Sequence, residues 1–210
     1  MGKSSLSAPE VVDMLNLVAD RIIEAEPFLS DADRKLGDGD HGLGMKRGME
    51  AVKQNLQTGA ESIEKAFAIT GMAMMSSMGG ASGAIFGTFW RSGSKSLTGR
   101  ERFDSQALAD LLRAGLDGVM TRGRAKAGDK TMVDALLPAA EKAAQVAAES
   151  LPNSITAVAS AAIDGCASTK AMIATVGRAR TLGAQSIGYP DAGACSVVII
   201  LESMRDYVLA

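Results

Sequence analysis

The sequence predicts an all-α protein of about eight helices packed around one core. Three observations carry that expectation. Apolar residues recur at helical spacing along most of the chain. Ala, Gly, Met and Leu dominate a composition that is 47% apolar but only 4% aromatic, which favours closely packed helices over a β-sandwich. Strand-turn-strand signals are missing. A chain of 210 residues suits one domain, 1–210, with a substantial core.

Ser7 caps the first helix, Pro9 sits in its first turn and Glu10 suits the positive end of its dipole. Val11, Leu15, Val18 and Ile22 mark its inner face, and it should fade near Pro27. Phe28 to Gly42 then reads as a loop. The second helix spans Gly44 to Leu56 and leaves through Gln57-Thr58-Gly59. The third runs from about Ala60 to Met78, where Gly79-Gly80-Ala81-Ser82-Gly83 breaks it. The fourth passes through Ile85, Phe89 and Trp90 to about Ser96. Ser105 opens the fifth, with Leu108, Leu112, Leu116 and Val119 inward, and Thr121 to Lys130 is a charged loop. The sixth covers Thr131 to Ser150; the seventh starts at Pro152 and Asn153 and reaches about Val176. Gly177 to Gly193 is a further loop, and the last helix runs from about Ala194 to Leu209. Val197 to Leu201 is β-branched enough to rival as a strand, but Leu201, Met204 and Val208 continue the helical spacing.

The unusual residues collect in four connections: the acidic loop, the GGASG turn, the Gly123–Lys130 loop and the Gly177–Gly193 loop. These precede alternate helices. In an up-and-down arrangement alternate loops share one end, so all four are expected to meet there.

Bulk properties exclude several classes. A formal net charge of −2 and few aromatics argue against a nucleic-acid partner. Cys166 and Cys195 are far apart in sequence and lack metal-ligand spacing, so they read as reduced thiols. No apolar run suits a signal peptide or a membrane span, and the expectation is a cytoplasmic protein with no membrane partner.

The densest chemistry lies at Gly37-Asp38-Gly39-Asp40-His41-Gly42, with Asp33 shortly upstream. Carboxylate oxygens are hard ligands suited to Mg²⁺ or Ca²⁺. Glycines let the backbone turn and let a bulky anion approach. Asp33, Asp38 and Asp40 are therefore the candidate metal ligands, and magnesium held by few carboxylates leaves room for phosphate oxygens. The spacing is not that of an EF-hand loop. His41 is the only histidine, so any phosphohistidine chemistry would have to use it. Ala81 and Ser82 open a helix, where backbone N–H groups attract phosphate. Arg178 and Arg180 precede Asp191-Ala192-Gly193, and a guanidinium beside polyphosphate would neutralise charge. Two near misses do not hold. Gly123 to Thr131 resembles a P-loop, but Asp129 intrudes before Lys130 and no strand precedes it; Gly42-Leu43-Gly44 with Gly48 misses the dinucleotide pattern.

Taken in order, D-x4-G-D-x-D-H-G, S-S-x-G-G-A-S-G, R-G-x-A-x-x-G-D-K-T-M and G-R-A…L-G…S-I-G…D-x-G-A resemble the L subunit of dihydroxyacetone kinase. The match spans nearly the whole chain. The resemblance implies an eight-helix antiparallel barrel holding ADP or ATP at one end through two Mg²⁺ ions bound to Asp33, Asp38 and Asp40. It implies a nucleotide lining of His41, Gly42, Leu43, Gly44, Ala81, Ser82, Gly123, Met132, Arg178, Asp191, Ala192 and Gly193. Gly44 stands where relatives often carry Asn, and Ala192 where they often carry Pro. The resemblance further implies a separate K subunit that holds dihydroxyacetone covalently. The phosphoryl donor would be free ATP, or bound ADP recharged by a phosphotransferase-system M subunit. A homodimer, a four-carbon ketose such as erythrulose and a signalling role toward a transcriptional regulator stay open at this point.

Overall fold

Each helix begins where local chemistry supplies a start. The computed structural model describes residues 2–210, and nine α-helices with two 3-10 segments make up its architecture. In α1 (Ala8–Glu24) the Ser7 backbone N–H and hydroxyl both donate to Glu10 Oε2 at 2.8 Å, closing the first turn. Ser62 caps α4 (Ile63–Ser77) by accepting from the Lys65 N–H at 3.2 Å. Asp104 caps α6 (Ser105–Gly123) through the Ala107 N–H at 2.9 Å. Asp191 caps α9 (Ala192–Leu209) through the Ala194 N–H at 2.8 Å. The β-branched run 197–201 is helical, and no strand occurs among the described residues. Only an isolated bridge joins Leu6 to Phe103, with reciprocal backbone bonds of 2.8 Å.

Four boundaries differ from the sequence expectation. The expected loop from Phe28 holds a short helix, α2 (Glu26–Arg34), because Pro27 lies in its first turn and starts it rather than ending α1. The next helix, α3 (His41–Leu56), begins three residues ahead of Gly44, since Asp33 Oδ2 accepts the His41 N–H at 3.2 Å. The sixth expected helix, α7 (Val133–Gln145), stops short of Ser150, where Ser150 and Pro152 start α8 (Leu151–Ser168). That helix in turn ends well before Val176, giving way to 3-10 turns at Thr169–Ala171 and Arg178–Ser186.

Leaving α2 aside, eight long helices remain. Including α5 (Gly80–Lys95), each packs on its neighbour in sequence, and α9 returns to α1, so the ring closes. The centre is filled. Trp90 is fully buried, stacked on Phe67 at 5.7 Å between ring centroids and edge-on to Phe89 at 4.7 Å. Phe103, beside the bridge to Leu6, lies 5.5 Å from Phe67. Phe67, Phe86, Phe89, Trp90 and Phe103 are thus buried together in the core, while Phe28 and Tyr189 are exposed. α2 sits outside it, against α3 and α9, and brings Asp33 to the open end.

Candidate functional site

The four unusual connections do meet at one end of the ring. They border a cleft of about 330 Å³ whose lining draws on the α2–α3 loop, the start of α5, the loop before α7 and the segment before α9.

The acidic wall depends on how α2 and α3 join. Gly42, in the first turn of α3, lies directly against α2: a Cβ there would stand 2.3 Å from the Glu26 carbonyl oxygen and 2.6 Å from Ser30 N. Only glycine permits that approach, and it sets α2 where Asp33 reaches the start of α3. From there one carboxylate oxygen each of Asp33, Asp38 and Asp40 come within 4.8 Å of one another. Asp33 is half-buried; the other two are exposed. The Arg178 guanidinium bridges Asp38 and Asp40, reaching Asp40 Oδ2 at 3.2 Å. Hydrogen bonding to Asp40 and the charge of both carboxylates push Arg178 above its ordinary range. A cluster of hard oxygen donors that already gathers a cation fits a magnesium ion in chemistry and in spacing.

The opposing wall is the start of α5. Gly79 and Gly80 take left-handed φ values of 76° and 61°, and a side chain at either would project into open space. The first backbone bond of the turn is Gly83 N–H to the Gly79 carbonyl at 3.3 Å. The N–H groups of Gly80, Ala81 and Ser82 precede it and belong to the positive end of the helix dipole. Such an end takes an anion, and phosphate above all.

The third wall is the loop that resembled a P-loop, and it is built quite differently. Asp134 is buried and accepts from Gly128 N–H at 2.6 Å and Thr131 N–H at 2.8 Å. Asp129 accepts from Thr175 Oγ1 at 2.6 Å and Lys126 N–H at 2.8 Å. Those bonds hold Asp129 below the usual carboxylate range. Lys130, at φ 61° and 2% exposed, donates to the carbonyls of Thr169 at 2.5 Å and Tyr189 at 2.6 Å. Burial lowers its pKa, against the pull of Asp191 and Asp134. Lys130 therefore binds the third wall to the fourth, while also lining the cleft. Its role was not read from the sequence; a lysine adjoining Gly-Asp in a tight turn was the available signal.

The fourth wall carries Arg178, Asp191 and Ala192. Asp191 lines the cleft, and burial pushes its carboxyl up to about 7. His41 lies between walls. It is 7% exposed, its Nε2 lies 2.8 Å from Ser196 Oγ on α9, and burial lowers its pKa despite Asp33 and Asp40 nearby. The ring is thus neutral and engaged, and its bonds tie α3 to α9.

Of the residues expected at the site, Asp33, Asp40, His41, Gly44, Ala81, Ser82, Arg178, Asp191 and Ala192 line the cleft, and Asp38 joins through its carboxylate. Five others stand back from it. Gly42 faces α2, and Leu43 is turned outward, 49% exposed. Gly123 faces Ile85, and Met132 is buried at the start of α7. Gly193 spaces Asp191 from Met132. Arg47, Lys130 and Thr131 line the cleft without having been expected there.

The DAK2 domain family matches residues 35–206. The Escherichia coli protein named PEP-dependent dihydroxyacetone kinase, ADP-binding subunit DhaL, is 38% identical over 203 residues, which cover 95% of this chain and 97% of that one. The L-erythrulose kinase of Pectobacterium atrosepticum is 35% identical over 209 residues, 96% of this chain but 35% of that longer protein. Among solved structures, the dihydroxyacetone kinase from C. freundii in complex with AMP-PNP and Mg²⁺ superposes with a TM-score of 0.74 at 25% identity. The overlap is 93% of this chain and 33% of that one. No helix among the described residues is long and apolar enough to cross a membrane.

Proposed function

This chain belongs to the DAK2 domain family, and on that premise we propose that it is the nucleotide-binding subunit of a dihydroxyacetone kinase. In this reading residues 1–210 act as one domain. It transfers the γ-phosphoryl group of Mg-ATP to dihydroxyacetone, or a similar small ketose, held covalently by a separate K subunit. The single observation that carries the reading is the approach of three carboxylate oxygens to within 4.8 Å, facing a helix start across one cleft.

Asp33, Asp38 and Asp40 would hold magnesium, two ions in the full reading. A metal held there would supply charge neutralisation to the polyphosphate. Gly80, Ala81 and Ser82 present N–H donors to the phosphates from the opposite side. Arg178, which pairs with Asp38 and Asp40, would also be placed to offer its charge to the polyphosphate. His41, buried with its Nε2 2.8 Å from Ser196 Oγ, ties α3 to α9 in this reading and is given no phosphoryl-carrying role. Asp191 and Ala192 bound the nucleotide at the fourth wall. Catalysis then rests on positioning and electrostatics, with no covalent step on this chain. Titration calorimetry of Asp38→Asn with Mg-ADP tests the reading: a loss of at least about tenfold in affinity, near 1.4 kcal/mol, is expected, and unchanged binding rejects the assignment. Native mass spectrometry adds the donor. ADP that stays bound with two magnesium ions through dialysis fits recharging in place by a phosphotransferase-system M subunit, and a site that empties fits exchange with free ATP.

A further inference from the structure

Behind the fourth wall two thiols lie side by side. Cys166, in the last turn of α8, and Cys195, in the first turn of α9, are 8% and 6% exposed, and their sulfurs are 3.6 Å apart. The chain between them is the segment that carries Arg178 and Asp191. One side chain links the end of α8 to the residue that caps α9, and the Cys195 N–H in turn donates to the Asp191 carbonyl at 3.0 Å. Thr169 Oγ1 donates to the Cys166 carbonyl at 2.6 Å and accepts the Asp191 N–H at 3.0 Å. The two sulfurs are thus held face to face by ordered helix ends, although the sequence separates them by 29 positions.

We propose that Cys166 and Cys195 are a peroxide-sensitive dithiol that closes an intramolecular disulfide across the base of the 167–194 segment. A disulfide bond is about 2.05 Å long, so closure asks for about 1.5 Å of sulfur travel, a distance that rotation of two short side chains supplies. The oxidant is hydrogen peroxide. Cys166 ionises to the thiolate, which attacks one peroxide oxygen; the O–O bond breaks, giving the sulfenic acid, and the released hydroxide is neutralised to water by the proton the thiol gave up. Cys195 sulfur then attacks the Cys166 sulfenic sulfur; the S–O bond breaks, and hydroxide leaves as water with the Cys195 proton. Two thiols and one peroxide give one disulfide and two waters. The order of attack follows from the contact itself. The hydrogen bond from Cys195 lowers the Cys166 thiol, and the same bond, with burial, raises Cys195. The cross-link ties the end of α8 to the start of α9 and restricts the cleft's fourth wall.

The test uses the full nucleotide-free chain, so its outcome does not depend on phosphoryl transfer. After peroxide treatment and maleimide quenching, intact mass should show loss of two hydrogens and no alkylation at either cysteine, reversed by dithiothreitol. The melting temperature should rise by several degrees, and protease cleavage within 170–190 should slow. In Cys195→Ser, a dimedone adduct should appear on Cys166. Both cysteines remaining alkylable, sulfinic acid forming without a disulfide, or cross-links only between chains would each overturn the proposal.

Discussion

Replacing Gly42 by alanine tests how the acidic cluster is held. The backbone there is ordinary α-helix, so propensity alone favours alanine by about 0.5–1 kcal/mol. Space argues the other way. The new methyl would lie 2.3 Å from the Glu26 carbonyl oxygen, 2.4 Å from Ser30 Oγ and 2.6 Å from Ser30 N. Two of those three atoms are backbone, so the clash is not relieved by turning a side chain. α2 must move off α3, at a cost of about 1–3 kcal/mol for overpacking before any contacts are lost. A net destabilisation of about 2 kcal/mol converts, in a chain of this size, to a melting temperature lower by roughly 4–8 °C. Gly44→Ala is the internal control. Two residues along the same helix, its nearest neighbours are Met78 atoms at 3.6 Å and 3.9 Å, an ordinary contact. It should keep or raise the melting temperature in calorimetry. Because α2 carries Asp33, Gly42→Ala should also weaken magnesium binding. Equal melting temperatures for the two variants would show that the approach of α2 to α3 does not position the site.

Three further outcomes are expected. In the metal-free protein Asp191 titrates near 7 while the unfolded chain releases that proton near 3.9. The native state thus binds the extra proton, and stability falls as pH rises from about 4 through about 7. Asp191→Asn should remove this slope, gaining about 1–4 kcal/mol relative to wild type by pH 8; parallel urea midpoints at pH 5 and pH 8 would contradict it. Lys130→Met strips the Thr169 and Tyr189 carbonyls of their donor and should cost about 2–3 kcal/mol, with faster proteolysis between residues 170 and 190; unaltered stability and cleavage would show that the clamp is incidental. Trp90, the only tryptophan, is fully buried, and its indole N–H has no partner among the described residues. Its fluorescence should be blue-shifted and resist iodide, and Trp90→Phe should cost less than a typical core truncation because an unsatisfied donor goes with the lost volume. Ready quenching in the native protein would count against the filled ring.

Helical period and capping residues made most of the ring legible in the sequence. Ser7 starts its helix for reasons local to a few residues, whereas Ser62 and Asp104, equally local caps, stand within two residues of the expected starts at Ala60 and Ser105 and were not read as caps. Pro27 shows the limit. It stops one helix as plausibly as it starts another, and α2 forms because Gly42 leaves a seat for it across the loop, a contact no window of sequence contains. The acidic trio was legible because Asp33, Asp38 and Asp40 are close in the chain. His41 was harder, since its partner Ser196 lies 155 positions away. The same distance blindness applies to Lys130, whose two acceptors are Thr169, inside the expected seventh helix, and Tyr189, in the loop beyond it. The thiol pair likewise appears only once α8 and α9 lie together.

That α9 leans on α1 has a bearing on biosynthesis. A ribosome releases Asp33, Asp38 and Asp40 well before Asp191 and Ser196, the anchor for His41, emerge. Throughout translation the growing polypeptide must therefore carry an unfinished cluster of negative charge beside an unclosed circle of amphipathic segments. On the proposed reading, competence to retain a nucleotide should arrive abruptly, with α9, rather than build up in proportion to length.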